Sequence, residues 1–323
     1  MTTEALEGAA ARALKTCLGV RPGEVVLVVC DDRTILLGQA FYAAALALGT
    51  EPLLMVKERG RRDGEEPPRP VAAAMAEADV VVMPTTYSLS HTAARRDASA
   101  RGARVASMPG LTADMMRRTF AADYGAVARR TRALAELLTR ADTARILTPL
   151  GTDLTMSLAG REGHADTGFY LEPGSFGNLP AGEAYVAPVE GTAEGLVVID
   201  GSLLDRRVDE PVRVWVEGGK AVRIRGGRSA AELERLLEET GGEAATLAEL
   251  GIGTNDGAVV TGNVLEDEKV LGTVHVAFGD NASMGGRVAV PIHVDGVILA
   301  PTLLLDGRAV VQDGRLLGLP AAP

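Results

Sequence analysis

The sequence predicts a chain in two parts: an N-terminal parallel-sheet α/β domain, then a mainly β (α+β) domain suited to binding metal. Three observations predict it. Across residues 1–142, short and fully apolar runs alternate with helix-like stretches, the pattern of parallel strands covered by helices on both faces. Across 143–323 the texture shifts to brief Val/Ile/Leu runs separated by Gly, Pro and Asp, which reads as strands and hairpins. In that second part, histidines and carboxylates also sit inside apolar strand-like runs, where an unpaired charge is costly.

Composition agrees. A length of 323 residues suits two domains of ordinary size. Hydrophobic residues make up 46% but aromatics only 3%, so the core is built from Ala, Val and Leu. The net charge of −10, with no basic cluster, argues against nucleic acid as a partner. No apolar run is long enough to span a membrane. The opening "MTTEALEGAAARALKTCLGV" alternates acids with small residues and lacks the continuous apolar segment of a signal peptide. The expectation is therefore a soluble, cytoplasmic protein. Cys17 and Cys30 have no C-x-x-C spacing and are too few for a disulfide framework.

In chain order, "GEVVLVVC" (23–30) reads as a buried strand, and "TILLGQAFYAAALALG" as a helix closed by Gly49. "EPLLMV" (51–56) is a strand, and the charged "KERGRRDGEEPPRP" an exposed loop. Two helix–strand pairs follow, "VAAAMAEA" with "DVVVMP" and "TAARRDASARG" with "ARVASMP", completing a Rossmann-like layer. In "DYGAVARRTRALAELLTRA", Tyr124, Val127, Leu134, Leu137 and Leu138 form one helical stripe. That helix is expected to end the first domain near residue 142. Beyond it, "ARILTPLGTDLTMSLAG", "GEAYVAP", "GLVVIDGSL" and "VRVWVEGGKAVRIRGG" read as strands with "EGG" and "RGG" turns. One helix interrupts them, with Ser229 and Glu232 spaced as a capping box and Gly241–Gly242 as its stop.

The chemistry concentrates in the second part. In "PIHVDGVI", His293 and Asp295 are two apart in a strand and project from one face. Glu183 shares a face with Tyr185, and Glu249 precedes a Gly-x-Gly that reads as a tight turn. His275 stands between valines in "GTVHVAFGDN". No Lys or Arg lies within "TVHVAFG" or "PIHVDGVI" to pair with these groups, so a metal is the expected partner. Two imidazoles with several carboxylates suit Zn, Co, Mn or Fe, and five ligands exceed one tetrahedral site. The acidic run 266–268 reads as a solvated loop in which Glu268 is placed to act as general base. His91 follows the strand "DVVVMP", and a ligand in an α/β layer binds beyond the strand ends, so His91 is a second acid–base candidate. "GIGTNDG" has the wrong spacing for a dinucleotide, and no G-x-S-x-G occurs.

Taken together and in order, "NLPAGEAYVAP", "ELGIGTN", "LEDEKVLGTVHVAFGDN" and "HVD" resemble the thermophilic leucyl aminopeptidase family of the S and T type. That resemblance implies a dimeric two-domain metallo-exopeptidase holding two ions (Zn, Co or Mn). It implies Glu183, Glu249, His275, His293 and Asp295 as ligands, with Glu249 as bridge and Glu268 at the family's acidic position. The family's tyrosine seven residues after the strand histidine is Ala282 here. The chain is also similar, over nearly its whole length, to the 2,5-dihydroxypyridine dioxygenase group, through "EGTAEGLVVIDG", the "GG…H-x-D" ending and a histidine placed like His91. This second resemblance implies one Fe(II) on two histidines and an aspartate. Here those positions are Glu249, His293 and Asp295, unless His275 supplies the missing nitrogen. The reading is a metal-dependent hydrolase cleaving the N-terminal amide of a short peptide or related small molecule, with Glu268 or His91 moving the proton. The alternative is a ring-cleaving Fe(II) dioxygenase. A metal-stabilised binding protein would instead close its coordination sphere.

Overall fold

The computed structural model describes residues 3–318. The chain divides into two compact units. Unit 1 runs to Tyr124 and takes in Gly168–Ala181; unit 2 holds Gly125–Thr167 and the chain from Gly182 onward.

Unit 1 is a parallel sheet with its helices. Strands β1 (Val25–Asp31), β2 (Glu51–Lys57), β3 (Val80–Met83) and β4 (Arg104–Ser107) lie in the order β2-β1-β3-β4. All pair in parallel. Helices α1 (Thr3–Arg12), α2 (Ile35–Ala47), α3 (Arg69–Glu77), α4 (Ala93–Ala100) and α5 (Ala113–Thr119) separate or flank them. The Val-rich runs of β1, β3 and β4 are buried almost throughout, as expected for strands covered on both faces. Helix α2 stops where Gly49 takes φ +77, the left-handed position that glycine adopts without strain.

The boundary differs from the one expected at residue 142. Helix α6 (Tyr124–Arg140) buries Leu134, Ala135 and Leu138 in the core of unit 2, so its apolar stripe belongs there. The later segment containing β8 (Phe176–Asn178) pairs in parallel with β4 and completes the sheet of unit 1. A chain that leaves and returns in this way carries no compositional mark at either crossing.

Unit 2 holds two antiparallel sheets. The eight-stranded sheet is built from β5 (Thr143–Leu147), β6 (Asp153–Ser157), β10 (Glu194–Ile199), β13 (Val212–Glu217), β14 (Lys220–Arg225), β18 (Thr302–Leu305), β19 (Arg308–Gln312) and β20 (Arg315–Leu316). The seven-stranded sheet runs β12-β11-β17-β16-β15-β9-β7. Its strands are β7 (His164–Asp166), β9 (Glu183–Val186), β11 (Ser202–Leu203), β12 (Arg206–Arg207), β15 (Leu247–Gly253), β16 (Val274–Gly279) and β17 (His293–Ile298). Both sheets contribute to one apolar core: Ile146, Leu154, Val197 and Val214 from the larger, Leu250, Ile252, Val276 and Phe278 from the smaller. Helix α7 (Arg228–Thr240) adds Leu233 and Leu237.

Three local expectations are corrected. The capping box does not form, because Ser229 lies inside α7 and Gly227 is the N-cap. A distant carboxylate replaces it: Asp209 accepts from the backbone N–H of Arg228 and of Ser229 and from the Ser229 hydroxyl. Gly251 and Gly253 make no turn but lie within β15. The acidic run is not solvated either. Glu266 and Asp267, in the short helix α8 (Val264–Asp267), are fully buried. Their carboxylates accept from Val259 N–H and from Thr261 and Gly262 N–H, holding the preceding loop.

Candidate metal centre

The register of the smaller sheet explains how residues far apart in sequence converge. Tyr185 and Glu183 on β9 lie opposite Gly251 and Gly253 on β15. Gly251 and Glu249 lie opposite His275 and Ala277 on β16. His275, Ala277 and Gly279 lie opposite Val297, Asp295 and His293 on β17. Side chains alternate along strands, so Glu183, Glu249, His275, His293 and Asp295 all project from one face. Their neighbours Ala184, Leu250, Val274, Val276 and Val294 point into the core. Gly251 is the empty place in this array, since a Cβ there would lie 2.0 Å from His275 Nε2. The Gly-x-Gly is required by close approach and not by a turn.

The ligand atoms fall into overlapping groups: Glu183–Glu249–His275, Glu249–His293–Asp295 and Glu268–His275–Asp295. His275 Nε2 faces Glu183 Oε2 at 3.2 Å and Glu249 Oε1 at 3.3 Å. His293 Nε2 faces Glu249 Oε2 at 3.1 Å and Asp295 Oδ1 at 3.4 Å. Glu249 thus turns one oxygen to each ring. His293 Nδ1 lies 2.7 Å from the Asp280 carbonyl; only an N–H can satisfy that contact, so when the ring gives up its second proton the lone pair appears on Nε2, the nitrogen that faces the carboxylates. Glu183 Oε2 and His275 Nδ1 are buried and without a hydrogen-bond partner. A buried carboxylate oxygen left over beside an imidazole nitrogen and a second carboxylate is a donor set that a divalent ion satisfies. The residues therefore fit a metal.

Electrostatics follow from the crowding. Burial disfavours charge on both rings, yet Glu183 and Glu249 hold the His275 proton well above its usual range, and Asp295 and Glu249 do the same for His293. Burial likewise opposes ionisation of Glu249, but its bonds to the two histidines pull its carboxyl well below the ordinary range. Burial pushes Glu268 up to about 8, with Lys269 opposing and Glu183 and Asp295 adding to the rise. Burial also raises the Tyr185 hydroxyl, helped by Glu183 and Glu249.

One expectation fails here. A cation does pair with these carboxylates, from outside the strands: Lys269 Nζ lies 2.5 Å from Glu183 Oε1, 2.6 Å from Glu268 Oε1 and 3.8 Å from Asp166 Oδ2. Its side chain is 1% exposed. The signal was present in "EDEKVLG", a lysine directly before an apolar run. His164, stacked on Tyr185 at 5.2 Å, carried no such signal. His91 is exposed on the loop after β3 in unit 1 and belongs to none of the ligand groups.

A parallel α/β unit joined to an antiparallel unit bearing a carboxylate–histidine centre defines a metalloenzyme-like chain. It belongs to the NicX family, 2,5-dihydroxypyridine 5,6-dioxygenase, whose model matches residues 5–318. A curated relative, 2,5-dihydroxypyridine 5,6-dioxygenase from Pseudomonas putida KT2440, is 26% identical over 200 residues, which is 58% of this chain and 57% of that protein. That match spans little more than half the relative's length. Among solved structures, 2,5-dihydroxypyridine dioxygenase from Pseudomonas putida KT2440 superposes with a TM-score of 0.81 at 21% identity, covering 98% of both chains. Wild-type AmpT from Thermus thermophilus superposes at 0.72 with 19% identity, covering 98% of this chain and 99% of that one. Both similarities expected from the motifs are present, and the fold is shared with both proteins.

Proposed function

We propose that the protein is a metal-dependent hydrolase of the aminopeptidase T type, cleaving the N-terminal amide of a short peptide or related amide. One observation carries this reading: the two histidines fall into separate ligand groups joined by Glu249, whose two oxygens face different rings. No group contains both histidines among the described residues. Such a set favours two ions sharing a carboxylate over one ion on two histidines. Two divalent ions, when bound, would polarise a carbonyl and lower the pKa of water. The chain's own residues supply the rest. Glu249 and Asp295 fix the two positions, and the Asp280 carbonyl orients His293. The Glu268 carboxyl, held by Lys269 beside the His275–Asp295 group, is placed to carry a proton.

The second reading, an Fe(II) dioxygenase opening a hydroxylated aromatic ring such as a dihydroxypyridine, is supported by family membership over residues 5–318. It requires nitrogen donors converging on one ion, where position 249 offers a carboxylate. Elemental analysis of protein purified without chelator separates the readings. About two equivalents of Zn, Co or Mn, with release of amine from aminoacyl amides, supports the hydrolase. About one equivalent of iron, with oxygen uptake on 2,5-dihydroxypyridine, overturns it. In either reading His91→Ala is expected to spare metal content and slow turnover; an unchanged rate returns His91 to a surface role.

A further inference from the structure

Among the described residues, Lys269 is the one fully buried cation placed directly on a proposed ligand, and neither reading of the function uses it in that capacity. Its backbone is clamped on both sides: its N–H donates to the Glu266 carbonyl, and its carbonyl accepts from Asn255 N–H at 2.8 Å. Gly253 makes this possible, since a Cβ there would lie 2.0 Å from the Val270 oxygen and 2.8 Å from the Lys269 carbonyl carbon. The ammonium is buried at the end of this fixed backbone, and it holds Glu183 Oε1 at 2.5 Å.

We propose that Lys269 makes the two ion positions unequal, so that the Glu249–His293–Asp295 position fills first and the Glu183–Glu249–His275 position fills second and more weakly. The inference rests on the two-ion reading. Two independent observations carry it. With Oε1 held by Lys269, Glu183 has only Oε2 to offer an ion, and a cation bound there shares its carboxylate with a fixed ammonium. Like charges so placed repel, with little screening inside the protein. The second observation concerns the rings. His293 donates its Nδ1–H to the Asp280 carbonyl, which raises the basicity of Nε2. His275 Nδ1 has no acceptor, so its ring receives no such support. Among the described residues, the ion pairs of His293 and Asp295 include no lysine or arginine. At limiting metal the chain then rests half-loaded, with the His293 position occupied.

The test uses the full chain stripped by chelator and titrated with Zn(II), read by calorimetry and by the ring nitrogen signals of its four histidines. Two steps separated by about tenfold or more are expected, in the range that partners of a ligand contribute to affinity. The His293 signal should move in the first step and the His275 signal in the second. Lys269→Gln should tighten the second step by about tenfold and leave the first within about twofold, a selective change that general loosening of the fold does not produce. Two equal steps, a His275 signal that moves first, or an unchanged gap in Lys269→Gln overturns the inference while the two-ion reading stands. Saturation at one ion overturns both. If Lys269→Gln does not fold, Lys269→Met, which keeps the length of the stem and removes the charge, is read in the same way, and an unchanged gap there overturns the inference.

Discussion

Glu249 and Gly251 show how much a single position can control in this centre. Glu249 is 5% exposed and divides its oxygens between two rings. Removing it separates both candidate ion positions at once. Glu249→Ala and His293→Ala are each expected to lose bound metal while the far-ultraviolet spectrum stays that of a folded chain; retention of full metal content in either variant would rule out the proposed ligand set. Gly251→Ala tests the same centre without touching a ligand. The new methyl must displace the His275 ring, which sits 2.0 Å from its ideal position. We expect metal affinity to fall by about tenfold and stability by about 1–3 kcal/mol, the usual cost of overpacking. Metal affinity equal to that of the unaltered chain would show that the ring has room to move.

Helix α7 is an element whose start is not local. Its first N–H groups are satisfied by Asp209, nineteen residues before Arg228, and those bonds, with the Ser229 hydroxyl, hold the Asp209 carboxyl well below its ordinary value of 3.8. A carboxyl depressed in the folded state contributes stability above its unfolded pKa, and that contribution is lost as pH falls through the folded value. Asp209→Ala is therefore expected to lower the melting temperature at pH 7, and the gap between variant and parent should close as the solution is acidified below about pH 4. A constant gap would assign the effect to packing. Strand β15 makes a complementary point. Its alternation places Leu250 and Ile252 in the core and Glu249 and Gly251 on the face of the candidate centre, so one short strand serves both the core and the site.

For the whole molecule, the proposed metal would be linked to folding. Three carboxylates and two imidazoles are gathered on one face of a sheet, with Glu268 brought beside them from the end of α8, and the unfolded chain has no such arrangement. A ligand present at about a thousand times its dissociation constant stabilises the native state by about 4 kcal/mol. Stripping with chelator is accordingly expected to lower the melting temperature, and readdition of Zn or Mn to restore it in proportion to the logarithm of free metal. Because the rings must be neutral to bind an ion, apparent affinity should fall as the pH is lowered. A melting temperature indifferent to chelator, in protein shown to be stripped, would leave Lys269 and the histidines as a self-sufficient ionic network.

The sequence by itself determined most element types and the identity of the five convergent side chains. Val-rich runs between helices favour burial as parallel strands, and a histidine or acid inside an apolar strand needs a partner wherever it folds. Tertiary structure alone decided the rest. It decided that α6 belongs to unit 2 and that β8 returns to unit 1, since paths between units leave no periodicity to read. It decided that Asp209 caps α7 and that Lys269 lies against Glu183, because both contacts join segments distant in sequence. It also decided that Gly251 makes room for an imidazole instead of turning the chain. Strand register sets such cross-strand distances, and register is fixed by pairing between strands and not by any one of them.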